Sequence, residues 1–286
     1  MAYATISKPS LHFNTVLYTG NGQNSRAVTG VGFQPDWAWL KYRNDTYSHQ
    51  TFDRVRGTSP GALYTDLTNP VDNNYPISSF DSDGITLRAT SHDSQNANSG
   101  NFVLWSWKAG NSAGSSNSDG AIASTVSVNT TAGFSIVKYT GNGGSTATIG
   151  HGLGSKPDVV IAKRYSSGTN NWRFYIRALH GDTTSNTLFL NTDAGSGSDV
   201  DRIGAVSDTT FTATGAMAAS GIDFICYCFK NIKGYSRFAK YIGNNSTTGP
   251  FIYTGFKPAW VLVKRESASG NNWQLHDIKR TQYAQP

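Results

Sequence analysis

Glutamate is almost missing from this chain of 286 residues: Glu266 is the only one, and the other 17 acidic residues are aspartates. Glu is a good helix former, whereas Gly, Asn, Asp, Ser and Thr favour turns and strands. The composition therefore argues against a mostly helical fold, a coiled coil or a charged disordered tail. No apolar run reaches the roughly 18–20 residues that a membrane span needs. Residues 1–6 lack the basic segment and hydrophobic core of a signal peptide. These absences predict a soluble, Gly- and Thr-rich β protein.

Cysteine and clustered charge are also scarce. Cys226 and Cys228 are the only two cysteines, and on a strand they point to the same face about 7 Å apart, at or beyond the span of a disulfide. We therefore expect them to be buried as small apolar residues, which is compatible with a reducing cytoplasm. The net charge of +6 is spread along the chain rather than gathered in a basic stripe, so a nucleic-acid partner is not expected. Attraction to an anionic polysaccharide stays open beside the simpler interpretation of solvated charges on strand edges.

An internal repeat organises the sequence. A Tyr-x-Gly-Asn motif occurs three times, at Tyr18–Gly22, Tyr139–Gly143 and Tyr241–Asn245. Each motif is followed by a Pro that opens an apolar run ending in Lys six positions later, as Pro35–Lys41, Pro157–Lys163 and Pro258–Lys264. A Trp lies 15 residues after the second and third of these prolines, at Trp172 and Trp273. This matched spacing predicts three copies of one structural unit.

Each unit is predicted to consist of β-strands. The apolar runs after the prolines are short and bounded by Pro and polar turns, and Asn-Gly turn pairs recur at 21–22 and 142–143. The closing runs 101–108 and 223–230 are almost continuously apolar, as in strands covered on both faces. Such strands in units of about 100 residues predict tandem antiparallel β-sandwiches of the lectin or jelly-roll kind. No third closing run occurs before Pro286, so the last sandwich is expected to be incomplete.

Composition places the boundaries between the units. The first 15 residues are polar and lack the repeat pattern, which suits an anchoring arm. A stretch rich in Ser, Gly and Asn near residue 115 is typical of a flexible linker. The predicted parts are an N-terminal anchoring arm (1–15), a first unit (16–110), a linker (111–120), a second unit (121–233) and a partial third unit (234–286).

Motifs for catalysis or metal binding are weak. The six histidines are not spaced for a metal site. Residues 81–84 resemble the start of a calcium loop but lack its later Gly and Glu, so a plain turn is favoured. A glycosidase needs two carboxylates, and the many aspartates leave such a pair open, although most lie beside turn-forming residues. We therefore expect no enzyme activity, no metal and no cofactor.

Aromatic and basic residues supply the candidate binding site. Four tryptophans form i, i+2 pairs that share a sheet face, where core packing is favoured over a platform for sugar rings: Trp37, Trp39, Trp105 and Trp107. Trp172 and Trp273 occupy the same repeat position beside polar loops and are the better candidates for exposure. The second and third repeats also place a Lys-Arg pair after the apolar run, although repetition can equally reflect a shared fold. The predicted binding residues are Trp172, Trp273, Lys163, Arg164, Lys264 and Arg265.

Several distinctive segments occur together along the chain. They are Met1–Ser10, Phe13–Gly22, Val31–Trp37, Val55–Gly57 and Trp107–Gly110 in the first unit, and Ile149–Gly154, Tyr235–Phe238 and Thr254–Pro258 in the later units. In combination they resemble a repeated domain of unknown function in tail-fibre-like virion proteins of cyanobacterial and marine phages. The resemblance covers nearly the whole chain. It implies a particle component of lectin-like β-sandwich type and supplies no catalytic or binding residues.

The repeats, the β composition and the resemblance together predict a non-enzymatic structural protein of a phage virion. The chain would be a tail or head fibre, or its particle-proximal segment, and would take part in host attachment. Residues 1–15 are expected to bind other tail or capsid proteins, in a particle assembled in the host cytoplasm. A homo-oligomer is expected, with a trimer as the first candidate; membrane insertion is not. Two alternatives stay open: an adhesin that binds host surface glycans and, ranked below it, a polysaccharide depolymerase.

Overall fold

The computed structural model describes residues 4–88, 90 and 92–280 and is predominantly β. Its helical segments are single turns: the α-helices α1 (Asp93–Asn96) and α2 (Arg177–His180), and the 3₁₀ helices Pro9–Leu11 and Gly215–Ala218. Within these described residues, no helix has the length and apolar character that a membrane crossing requires. The prediction of an all-β fold is confirmed.

Twenty-one strands follow one another along the described chain. The first unit holds β1 (Phe13–Thr19), β2 (Ala27–Val28), β3 (Trp37–Tyr42), β4 (Gln50–Asp53), β5 (Leu63–Tyr64), β6 (Ser79–Asp81), β7 (Gly84–Thr86) and β8 (Asn101–Trp107). The second unit holds β9 (Ser115–Asn117), β10 (Ser124–Asn129), β11 (Phe134–Thr140), β12 (Thr146–Gly150), β13 (Val159–Arg164), β14 (Arg173–Ile176), β15 (Asn186–Phe189), β16 (Gly197–Ser198), β17 (Ile203–Val206), β18 (Thr210–Thr214) and β19 (Asp223–Phe229). The third unit holds β20 (Trp260–Val263) and β21 (Gln274–Asp277).

The first two units share one topology. The large sheet of the first unit has the order β1-β8-β3-β4-β5, and the same order recurs as β11-β19-β13-β14-β15 inside the eight-stranded sheet of the second. Each unit adds a three-stranded sheet, β2-β7-β6 in the first and β12-β18-β17 in the second. The hairpin β20–β21 of the third unit corresponds to β3–β4 and β13–β14. Neighbouring named strands pair antiparallel, and the sequence repeat is therefore also a repeat of strand order.

Three apolar cores result from this arrangement. Two of them lie within the units, where residues of the small three-stranded sheet pack with one face of the large sheet. The third core is shared: it combines the opposite faces of both large sheets with apolar residues of the hairpin β20–β21. The strand β8 contributes to two cores through its two faces. Phe102 and Leu104 enter the core of the first unit, while Trp105 and its alternating neighbours enter the shared core. Since both faces of β8 and β19 are covered, their continuously apolar sequences are explained.

The cysteines and the four paired tryptophans lie where core packing was predicted. Cys226 and Cys228 are free thiols with no exposed surface, on the face of β19 that enters the core of the second unit. Each paired tryptophan is at most 7% exposed and belongs to the shared core: Trp37, Trp39, Trp105 and Trp107. The interpretation of these six residues as core residues is confirmed.

Two of the predicted non-sheet segments, the arm and the linker, contain strand residues. The predicted arm extends to residue 15, but Phe13 already pairs with Trp107 in the sheet, and the two rings pack with centroids 4.8 Å apart. The linker 111–120 contains β9, which pairs with β10. Its Ser-Ser-Asn sequence has no apolar pattern, since β9 is an edge strand whose two serines are exposed. Both boundaries are therefore corrected: residues 13–15 and 115–117 belong to sheets.

Candidate functional site

Trp172 and Trp273 lie at two equivalent junctions between units. The indole of Trp172 is fully buried, and its Nε1 donates to the carbonyl oxygen of Tyr64 in the first unit at 2.7 Å. Trp273 is half-buried, and its Nε1 donates to the carbonyl oxygen of Phe189 in the second unit at 2.9 Å. Tyr64 and Phe189 are the last residues of equivalent strands, β5 and β15. The expected exposure of Trp172 is wrong: its neighbours in sequence are polar loop residues, but its ring is buried against the first unit.

Lys163 and Lys264, the two predicted lysines, also form hydrogen bonds between units. Lys163 donates from Nζ to the carbonyl oxygen of Asn170 in its own loop at 2.5 Å and to that of Thr68 in the first unit at 2.8 Å. Lys264 likewise donates to the carbonyl oxygen of Asn271 and to that of Asp193 in the second unit, the latter at 2.7 Å. Each ammonium group therefore joins its own loop to a loop of the preceding unit.

Burial shapes the electrostatics of both lysines. Lys163 has no exposed surface, and burial, helped by the nearby charges of Arg173 and Arg164, lowers its pKa to about 7. Lys264 is more accessible, and burial lowers its pKa in the same direction. Desolvation penalises the charged amine, while the two carbonyl oxygens facing each Nζ favour it. The lysines are thus positioned as internal hydrogen-bond donors.

Backbone hydrogen bonds complete the two junctions. Between the first and second units, the amide of Val71 donates to the carbonyl of Tyr165 at 3.0 Å. Between the second and third units, the amide of Ser196 donates to the carbonyl of Glu266 at 2.7 Å. Tyr165 and Glu266 each lie two residues after the junction lysine, so this contact also recurs at the same repeat position. The equivalence extends from side chains to backbone.

A second pair of equivalent contacts centres on two buried aspartates. Asp53 accepts from Arg56 Nε at 2.6 Å and from the hydroxyl of Tyr227, in the second unit, at 2.9 Å. Asp277 accepts from Arg280 Nε at 2.5 Å and from Trp105 Nε1, in the first unit, at 3.0 Å. Trp105 and Tyr227 occupy the same position in β8 and β19. Aromatic donors of the closing strands therefore reach an Asp-x-x-Arg element of another unit.

Burial and hydrogen bonding oppose each other at these carboxylates. Burial acts to raise the pKa of Asp277, but hydrogen bonds from Arg280 and Trp105 outweigh it and hold the pKa below its usual range. The ion pair of Asp53 with Arg56 has no exposed side-chain surface on either partner. Burial also raises the pKa of the Tyr227 phenol well above its ordinary value, so the hydroxyl stays a donor. Each aspartate is an anchor for an aromatic group from a different unit.

The side-chain donors between units form a cycle. The second unit donates to the first through Trp172, Lys163 and Tyr227. The third donates to the second through Trp273 and Lys264, and the first donates to the third through Trp105. Ring contacts follow the same course, with centroids 4.2 Å apart for Trp37–Tyr227, 4.6 Å for Phe174–Trp273 and 5.6 Å for Trp107–Trp260. The three repeats therefore contact one another in a cycle around the shared core.

The two predicted arginines lie away from the junction contacts. Arg164 is half-buried and donates from Nη2 to Ser167 Oγ at 3.0 Å in its own loop. Arg265 is exposed. The structure thus brings Trp172 with Lys163, and Trp273 with Lys264, into inter-unit contacts, and leaves the arginines outside them. Ligand binding by Arg164 and Arg265 stays a prediction.

Residues 81–84, which were predicted to form a plain turn rather than a calcium loop, are held by hydrogen bonds to backbone amides. The carboxylate of Asp83 accepts from the amide of Gly30 at 2.9 Å and from that of Gly32 at 2.5 Å, and these hydrogen bonds lower its pKa. It lies in the connection between β6 and β7. Across residues 4–88, 90 and 92–280, no group of three or more His, Cys, Asp or Glu side chains is placed to hold a metal ion.

Sequence reasoning missed the two aspartates. Their signal was present, because Asp-x-x-Arg occurs at 53–56 and 277–280, 16 residues after Trp37 and 17 after Trp260. The second unit has Ile176 and Leu179 at the equivalent positions. The motif therefore occurs in only two of the three repeats.

Fold and contacts together define a class: an all-β protein built from internal repeats whose recurring Trp and Lys side chains join the repeats to one another. Residues 8–286 match the family described as Domain of unknown function (DUF7483), and the chain belongs to that family. The resemblance to a domain of unknown function is thereby supported, while its phage context stays a prediction. Neither the search of curated proteins nor the search of solved structures gave a match.

Proposed function

We propose that this chain is a non-enzymatic structural component of a phage particle, a tail or head fibre or its particle-proximal segment, with a role in host attachment. The observation that carries the proposal is the use of recurring side chains as contacts between repeats: Trp172 and Lys163 at one junction, Trp273 and Lys264 at the next. A shared core across three repeats resists relative movement, as a fibre or its attachment segment requires. The resemblance of segments such as Val31–Trp37 supports the particle context.

The proposal includes the type of sandwich and the partners. Each large sheet with its small three-stranded sheet would be a sandwich of the lectin or jelly-roll kind, arranged in tandem. Other virion proteins would bind the segment before β1, which includes the 3₁₀ helix Pro9–Leu11 with no buried residue. The chain would form a homo-oligomer, with a trimer as the first candidate. Because one chain already places three repeats around a core, light scattering is needed to count the chains.

Locating the protein in assembled particles tests this function. Phage particles would be purified on a density gradient, and the protein would be quantified by mass spectrometry and located by immunogold labelling. We expect it to sediment with infectious particles in a fixed copy number and to be labelled at the tail or on the head. Recovery only in the free protein fraction of the lysate would overturn the proposal.

A further inference from the structure

The first unit departs from the repeat at Tyr47, in the loop between β3 and β4. Lys41 donates from Nζ to the carbonyl oxygen of Tyr47. The junction lysines of the second and third units donate in the same way to the carbonyl oxygens of Asn170 and Asn271. These three loop residues are therefore equivalent, and the first unit has an aromatic ring where the other two have a side-chain amide. Because the shared fold accounts for what recurs, a residue that differs points to a function of one unit.

Aromatic side chains of the first unit gather around Tyr47. The ring of Tyr47 is 37% exposed and stacks on Tyr42, with centroids 5.9 Å apart and planes 10° apart. His92 lies edge-on to both Tyr47 and Tyr75, with centroid distances of 6.2 and 4.7 Å. The guanidinium carbon of Arg88 lies 5.5 Å from the centroid of the Tyr75 ring. The connections that follow β3, β5 and β7 thus meet in one aromatic cluster, formed by Tyr42, Tyr47, Tyr75 and His92.

A buried polar network of the first unit holds His92 in place. Gln50 donates from Nε2 to Ser94 Oγ at 2.9 Å and accepts at Oε1 from Gln95 Nε2 at 3.0 Å. These three residues are at most 3% exposed, and the amide of Ser94 donates to His92 Nδ1 at 3.1 Å. In the second unit Arg173 occupies the position of Gln50, so this network is not repeated there. The aromatic cluster is therefore supported by residues specific to its own unit.

Polar groups at the edge of the aromatic cluster supply both donors and acceptors. Because His92 Nδ1 accepts from an amide, the neutral imidazole carries its hydrogen on Nε2 and donates from there. Within the part of the chain that the structure describes, no hydrogen-bond partner contacts this Nε2 or the hydroxyl of Tyr47. Partial burial raises the pKa of Tyr47, and the charges of Asp93 and Asp45, both exposed, raise it further. The charges that act on Tyr47 are thus negative.

We propose that the aromatic cluster of the first unit binds a neutral hexose of a glycan. The apolar C–H face of the sugar ring packs on the face of Tyr47 that Tyr42 leaves uncovered. Sugar hydroxyls donate to the carboxylates of Asp45 and Asp93 and accept from His92 Nε2. A sugar acid such as a uronate is repelled by the same carboxylates. The inference rests on the proposed role in host attachment for the source of the glycan, whereas sugar binding itself requires no particle.

Saturation-transfer NMR titrations on the purified chain test the proposal. The probes are the methyl glycosides of glucose, galactose and mannose, and methyl glucuronide is the charged control. We expect saturable binding of at least one neutral glycoside, with the strongest transfer to ring hydrogens on one face of the sugar. The glucuronide should bind more weakly than that neutral glycoside, because its carboxylate meets those of Asp45 and Asp93.

Three variants place the binding on the aromatic cluster. Tyr47→Asn introduces the residue of the other two repeats and should weaken binding about tenfold, because the stacking ring is lost. Tyr253→Asn is the matched control: this tyrosine is 75% exposed and lies outside the aromatic cluster, so binding should not change. Asp93→Asn removes one exposed carboxylate and should narrow the difference between the neutral glycoside and the glucuronide. If Tyr47→Asn fails to fold, Asp93→Asn and the unaltered protein still decide.

Outcomes against the proposal are separate from those against the proposed function. No binding of any of the three neutral glycosides, undiminished binding by folded Tyr47→Asn, or tighter binding of the glucuronide would overturn the hexose site. Should the protein be located in particles without binding these sugars, the site fails and the virion role stands. Sugar binding by a protein that is absent from particles would confirm the site and remove the host-attachment role.

Discussion

The hydroxyl of Tyr227 offers a clean perturbation of the contact between the first and second units. Tyr227 is fully buried in the shared core, stacks on Trp37 and donates to Asp53 at 2.9 Å. Tyr227→Phe keeps the ring and its stacking and removes the hydroxyl that donates to a buried carboxylate. Because hydrogen bonds to charged groups contribute about 1.5–3 kcal/mol, we expect the free energy of unfolding to fall by about that amount. Urea unfolding followed by tryptophan fluorescence measures it.

Tyr139→Phe is the matched control within one unit. The Tyr139 hydroxyl is also buried, but it donates to the neutral carbonyl of Met217 in the second unit at 2.8 Å. Its loss should cost about 0.5–1.5 kcal/mol, less than the loss at Tyr227. A double-mutant cycle with Asp53→Asn should give a coupling energy of about 0.5–3 kcal/mol for Tyr227 and near zero for Tyr139. A loss below about 0.5 kcal/mol for Tyr227→Phe, with no coupling to Asp53, would refute the reasoning.

Three further predictions follow from the same contacts. Trp172→Ala should destabilise the protein by about 3–5 kcal/mol in the same urea assay, whereas Arg265→Ala should stay within about 0.5 kcal/mol. Since burial lowers the pKa of Lys163 to about 7, below its unfolded value, the unfolded chain binds more protons between about pH 7 and 10, and stability should rise with pH there; Lys163→Met should lose that rise in urea midpoints. Burial raises the pKa of Cys228 to about 12 and that of Cys226 well above its usual value, so both thiols should react with Ellman's reagent only after unfolding.

Contradicting outcomes are equally specific. If Trp172→Ala and Arg265→Ala lowered the free energy of unfolding equally, the indole of Trp172 would not stabilise the contact between the second and first units. A pH dependence unchanged by Lys163→Met would show that its amine is solvated in the folded protein. Rapid reaction of either thiol under native conditions would place β19 outside a packed core.

The strands could be predicted because their signal is local. The apolar runs after Pro35, Pro157 and Pro258 are the strands β3, β13 and β20, and each strand begins two residues after its Pro. The continuous apolar pattern of β8 and β19 also showed that both faces are covered. It could not show by what, since a sheet face buried under its own small sheet and one buried under another unit have the same sequence pattern.

The spacing of the repeats identified the candidate residues, but the exposure predicted for Trp172 was wrong. Trp172 and Lys163 recur as Trp273 and Lys264, and that recurrence does mark equivalent contacts. Their exposure could not be read from the polar residues beside them, because the covering loop comes from another repeat. The contact of Asp53 with Tyr227 joins residues 174 positions apart. Only the packing of the two large sheets across the shared core brings such a pair together.

Native-state hydrogen exchange at the junction amides tests the shared core most directly. The amides of Val71, Asn170 and Ser196 lie in loops and donate to the carbonyls of Tyr165, Thr68 and Glu266 across the two junctions. If the repeats form one body, these loop amides exchange only through openings as costly as those that expose β8 and β19, and their protection matches that of the core strands. Exchange of all three amides at the rates of exposed loops, while β8 and β19 stay protected, would contradict a core shared by the repeats.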